Sequence, residues 1–190
     1  MTDNKRDLSW LKFPLITAAV LAAVLLIGLL AMKILQPLLP AEWTARTPTE
    51  YVEKTTAAKV SAAKLVFHED THGGFHGDGH TLIVFDCAEA GDDFENSLSA
   101  WRELPLSAKL QDELCYDNGS EVDLGEVFMR HGIAYGGETP KVKDGLYFLN
   151  NRHSRAKSSE DENLFNYSVN FTFAVYDRET KTLYYMEVDT

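Results

Sequence analysis

Phe13 to Met32 reads FPLITAAVLAAVLLIGLLAM, a run of 20 residues without a charge. A helix of that length, at about 1.5 Å per residue, matches the roughly 30 Å hydrocarbon core of a bilayer. Leu, Ala, Val and Ile dominate the run, and Thr17 is its one hydroxyl. Pro14 falls in the first turn, where its missing N–H costs nothing, and Pro37 and Pro40 close the far end. Trp10 and Trp43 flank the run as amphipathic rings do at membrane interfaces, and Lys33 can snorkel to the headgroups. A cleaved signal peptide has a shorter apolar stretch, about 7–15 residues, and Leu39-Pro40-Ala41 is a poor cleavage site. The pattern therefore predicts a retained single-span anchor: a cytoplasmic tail over 1–12, a transmembrane helix over 13–36, a helical stalk over 37–62 and an extracytoplasmic domain over 63–190. The orientation rests on Lys5, Arg6 and Lys12 before the run, against the more widely spread Lys33, Arg46 and Lys54 after it.

Charge divides the same way. Four of the 18 Lys+Arg and two of the 29 Asp+Glu fall in residues 1–40, so this part carries +2 and the remainder −13. So acidic a domain lacks the basic face that a phosphate backbone requires, which excludes nucleic acid as a partner. Anionic headgroups also repel it, so it does not lie flat on the membrane. Two cysteines, Cys87 and Cys115, exclude a disulfide-dense scaffold and a four-cysteine zinc site. They can form one disulfide or remain two buried thiols.

In the stalk, Thr47-Pro48-Thr49-Glu50 has the form of a helix start, with Thr47 as N-cap and Pro48 at the first helical position. An Ala-rich run to Ala63 extends it as a helical spacer with a thin apolar face. Residues 63–69 (AKLVFHE) and 81–87 (TLIVFDC) read as strands. Phe94, Leu98 and Trp101 share helical spacing, which predicts a helix over 92–101 capped by Asp92 or Asp93. A second helix is expected over 106–114, and residues 115–145 are turn-rich. A strand over 145–149 precedes a polar loop, 150–163. Residues 167–176 and 182–188 form the clearest hairpin, in which Val169, Phe171, Phe173 and Val175 alternate with Asn170, Thr172, Ala174 and Tyr176. The expected fold is α+β, an N-terminal transmembrane helix followed by a compact domain with an antiparallel sheet and two or three short helices.

Chemistry concentrates in Asp70 to His80, DTHGGFHGDGH, where four glycines forbid a helix and call for positive φ. His72, His76, Asp78 and His80 can converge on one divalent transition metal, since imidazole with carboxylate suits zinc-like ions. The segment matches no established zinc spacing and has no H-E-x-x-H. As a binding loop, its candidate contacts are Gly74, Phe75, His76 and Asp78. It lacks G-x-G-x-x-G and a following Lys-Ser/Thr, which sets aside a phosphate loop. The basic stretch Arg152 to Lys157, followed by Glu160-Asp161-Glu162, reads as a solvated loop of self-compensating charge.

The Glu69–Gly79 segment, taken with Asn170-Phe-Thr-Phe-Ala-Val-Tyr-Asp and Thr182-Leu-Tyr-Tyr, resembles a group of uncharacterised bacterial proteins. Those are small membrane-anchored or exported proteins, mainly of Gram-positive bacteria, with no known activity. The resemblance covers most of residues 63–190 and implies a cell-envelope location but no catalytic residue. The expectation is therefore a single-pass membrane protein that presents an extracytoplasmic interaction or sensing module, bound to the bilayer by its helix and open to a protein or peptide partner. No cofactor is required. The alternative is an anchored metal-dependent hydrolase using the His-rich loop.

Overall fold

The computed structural model describes residues 47–73, 77–116, 119–165 and 168–190, together with positions 21, 24–28, 30 and 31. The chain divides into two units, one up to Thr44 and one from Ala45 onward. In the first unit the described positions are helical, and Leu21, Val24, Leu25, Leu26, Ile27 and Leu30 are exposed. No helix among the described residues is long and apolar enough to cross a membrane. The span predicted over 13–36 lies largely outside the described residues, as do the tail and residues 37–46 of the stalk.

The second unit is built on one antiparallel sheet. In chain order its elements are α1 (Pro48–Thr56), β1 (Lys64–Asp70), β2 (Gly79–Asp86), α2 (Gly91–Ser97), a 3-10 turn (Leu98–Ala100), β3 (Arg102–Glu103), α3 (Ala108–Leu114), β4 (Val122–Asp123), α4 (Leu124–Arg130), β5 (Lys141–Val142), β6 (Gly145–Asn151), β7 (Asn170–Asp177) and β8 (Thr182–Asp189). Six strands pair in the order β1-β2-β8-β7-β6-β3, and β4 and β5 form a separate short ribbon. The expected α+β class with an antiparallel sheet is what is observed, with four short α-helices described in this unit where two or three were expected.

Alternation sorts the strand side chains onto two faces, and both are buried. Leu82, Val84, Phe171, Phe173, Val175, Tyr184 and Met186 meet Leu110 and Leu114 of α3 and Leu124, Val127 and Phe128 of α4. Ile83, Phe85, Ala174, Tyr176, Leu183 and Tyr185 meet Val52 of α1, Phe94 of α2, Leu98 and Trp101. The helices thus cover the sheet on both sides. At about 1.5–3 kcal/mol for each large apolar side chain removed from water, these two clusters supply the driving force of folding.

Three expectations change. Residues 47–60 are no loosely packed spacer, because Val52, Ala58 and Val60 are fully buried in the second cluster. Thr47 does cap α1, its hydroxyl accepting from the Glu50 N–H at 3.2 Å, but the helix stops at Thr56 rather than Ala63. The Thr55 and Thr56 hydroxyls donate back to the carbonyls of Tyr51 and Val52, and Ala57 turns left-handed at φ 62. The indole of Trp101 donates to the Thr56 carbonyl at 3.4 Å and ties this end to the core. Neither Asp92 nor Asp93 caps α2. Both lie in its first turn, where a negative charge suits the helix dipole. Finally, the turn-rich stretch 115–145 holds α4, capped by Asp123, whose carboxylate accepts from the Glu126 N–H at 3.2 Å.

Cys87 and Cys115 are free, buried and in different clusters on opposite faces of the sheet, so of the two expectations the pair of thiols holds. Burial pushes the Cys87 thiol up to about 12 and the Cys115 thiol up to about 11.

Two tests follow from the packing. A Cβ on Gly145 would be driven into the Tyr176 carbonyl of the neighbouring strand. Gly145→Ala is expected to lower the unfolding free energy by about 2 kcal/mol, read from the urea midpoint. His131 lies stacked on Phe165 (5.9 Å, 12°) and edge-on to Phe171, with its Nε2 buried and unpartnered. Burial, aided by the charge of Arg130, pushes its imidazole from 6.5 down to about 4. The unfolded chain therefore takes up a proton here before the folded one does. Stability is complete above pH 6.5 and is lost as pH falls toward 4, by about 3 kcal/mol from this group. His131→Phe is expected to flatten that part of the acid-unfolding curve.

Candidate functional site

The polar loop meets the sheet where β2 begins and β8 ends, Gly79 lying opposite Asp189. Leu183, Tyr185, Glu187 and Asp189 form one row on the α1 face of β8. The row starts apolar and ends in two carboxylates. Glu187 is only 4% exposed. Its Oε2 accepts from the hydroxyls of Tyr51 (2.7 Å) and Tyr185 (2.8 Å), and its Oε1 pairs with Nη1 of Arg152. A buried carboxylate with three donors is fully satisfied, as burial of a charge requires.

Arg152 extends the network. Its Nη2 donates to both oxygens of Asp189, at 2.9 and 3.0 Å, and to the Phe171 carbonyl at 3.4 Å. Asp189 Oδ2 lies 3.1 Å from His72 Nε2, and His72 Nδ1 lies 2.8 Å from Asp70 Oδ1. Asp70 also accepts from the His72 backbone N–H at 3.0 Å and from the Thr81 hydroxyl at 3.3 Å. One chain of contacts thus runs from Tyr51 on α1, through Glu187, Arg152, Asp189 and His72, to Asp70 on β1.

Charge and burial compete along it. Burial opposes ionisation of Asp70, but the hydrogen bonds from His72 outweigh it and hold the carboxyl below its usual range. Burial likewise opposes the charge on Arg152, and Glu187 with Asp189 more than restores it. Burial and then the neighbouring Glu187 carboxylate keep the Tyr185 phenol well above its ordinary value.

The loop base is pinned by the Thr71 N–H to the His80 carbonyl and by the His80 N–H to the Thr71 hydroxyl, both at 2.9 Å. Gly77 takes the expected positive φ, +69°. A Cβ on Gly79 would come within 2.7 Å of the His72 backbone, so glycine is needed for the loop to close over its own start.

His72 and His80 are not brought together. Thr81, beside His72, faces α1, and His80, one residue earlier, faces the other side. The His80 Nε2 lies 3.7 Å from Glu69 Oε2, too far for a hydrogen bond. Asp78 is exposed, and Gly74, Phe75 and His76 lie outside the described residues. Among the described residues no three His, Cys, Asp or Glu side chains are placed to hold a metal ion. Nor, among the described residues, is an exposed nucleophile presented to His72. The Thr81 hydroxyl lies 3.2 Å from Nδ1, but Thr81 is only 5% exposed. The arrangement latches the loop to the sheet.

Reading the sequence missed Arg152, Glu187 and Asp189. Arg152 belongs to the stretch read as self-compensating, yet its partners lie on β8. The available signal was the period-2 row on β8, which places Glu187 at a core-facing position and so demands a cation. No family model matches the chain, no curated protein is similar to it, and no solved structure matches it.

Removing the cation should expose the cost of the buried carboxylate. Arg152→Met is expected to destabilise the chain by about 3 kcal/mol, measured by urea unfolding. Adding Glu187→Gln to Arg152→Met should recover most of that loss, because the amide oxygen still accepts from Tyr51 and Tyr185 without a charge to bury.

Proposed function

We propose that the chain is a single-pass membrane protein whose helix over 13–36 tethers an extracytoplasmic interaction or sensing module to the plasma membrane. The uncharged run from Phe13 to Met32 carries this reading. Its described positions support it. They are helical, and Leu, Val and Ile stand exposed there, which favours lipid as their surroundings. The charge split supports a domain held off the anionic leaflet, +2 before residue 41 and −13 after it. The loop's resemblance to cell-envelope proteins points to the same compartment. In the domain, the polar network secures a loop against the sheet, a design that suits recognition.

The test is topological. Alkaline phosphatase fused to the C-terminus in a bacterial host is expected to be active, β-galactosidase at the same place inactive, and the protein to resist carbonate extraction. Activity of β-galactosidase alone would overturn the orientation. Release by carbonate would overturn the anchor.

A further inference from the structure

β1 is an outer strand of the sheet, hydrogen-bonded to β2 on one side. The Thr71 N–H donates to the His80 carbonyl, so alternation turns the backbone groups of His68 and Asp70 away from β2. Native edges are usually blunted by shortness, cover, charge or a bulge; here charge sits at the two ends, Lys64 and Glu69-Asp70, and a bulge lies between them, which leaves the middle apolar. This one is 7 residues long, and its register shifts between Leu65 and Phe67, leaving Val66 without an opposite residue. The irregularity throws two adjacent apolar side chains outward, Leu65 at 43% and Val66 at 53% exposure. The far end is acidic, with Glu69 and Asp70 on the strand and exposed Asp78 beyond it.

We infer that the β1 edge is a docking site for an extended cationic peptide segment of a partner protein, which adds as a further strand. This rests on the reading of the domain as an interaction module and specifies its partner. The outward N–H and C=O of His68 and Asp70 are satisfied by another extended backbone, Leu65 and Val66 take an apolar side chain, and the exposed Asp78 takes Lys or Arg. Charge decides between a peptide and a second copy of the chain. Two domains of −13 each repel one another, whereas a basic strand is attracted.

The full chain in mild detergent is titrated against a labelled peptide of alternating lysine and valine, with alternating glutamate and valine as the control. Fluorescence anisotropy should report binding of the first peptide alone. His68→Pro removes the outward N–H without touching a bond to β2, so it should weaken binding about tenfold, the worth of a lost hydrogen bond. His68→Ala, which keeps the N–H, should bind as the parent does. If the proline variant fails to fold, the pair Leu65→Lys and Val66→Lys takes its place, with the same tenfold loss expected. Equal binding of the two peptides, or unchanged affinity in the proline or lysine variants, would overturn the site. So would a doubling of mass on concentrating the free chain that His68→Pro abolishes, which would assign the edge to a second copy. Binding is read on purified protein, so it stands or falls separately from the topology result.

Discussion

Tyr185 is fully buried in the middle of β8, while its neighbours Tyr184 and Met186 are buried against the opposite side of the sheet. A strand in that position cannot leave either face to water. The rest of the domain follows from covering both. Helices α1 and α2 with Trp101 close one side, and α3 and α4 close the other. The segment from Thr47 to Val60 is recruited for the same reason. Without Val52, Ala58 and Val60, a fully buried aromatic row would lose part of its cover.

That cover ends at the loop, and there the row on β8 changes from Tyr185 to Glu187 and Asp189. Glu187 is still enclosed at this point, so its carboxylate needs internal partners rather than water, while Asp189 beyond it is partly exposed. Arg152 supplies the charge and Tyr51 supplies a hydroxyl from α1. The network therefore belongs to the core as much as to the surface. It fastens α1, the loop and the segment after β6 to one strand end, where apolar packing alone would give out.

Local chemistry was legible in the sequence and long-range pairing was not. β-branched and aromatic runs marked β1, β2, β7 and β8, and the Thr47-Pro48 start of α1 could be read from four residues, because propensity and capping act within a turn or two. The end of α1 was misread because alanine propagates a helix well, and only packing made Ala57 and Ala58 leave it. Glycine and asparagine around 118 and 136 hid α4, a helix of 7 residues with a cap supplied by Asp123. At the site, the loop's closure could be anticipated from its glycines. The partner of His72 could not, because Asp189 lies 117 positions away and only the register of β2 with β8 brings them together.

The separation of the two cysteines has a consequence of its own. With the sheet between them, Cys87 and Cys115 cannot meet in the native state, and each thiol is held in its protonated form. The fold owes nothing to oxidation. Its assembly is indifferent to the glutathione balance on either side of a membrane, and it asks no disulfide-forming machinery of the cell that makes it.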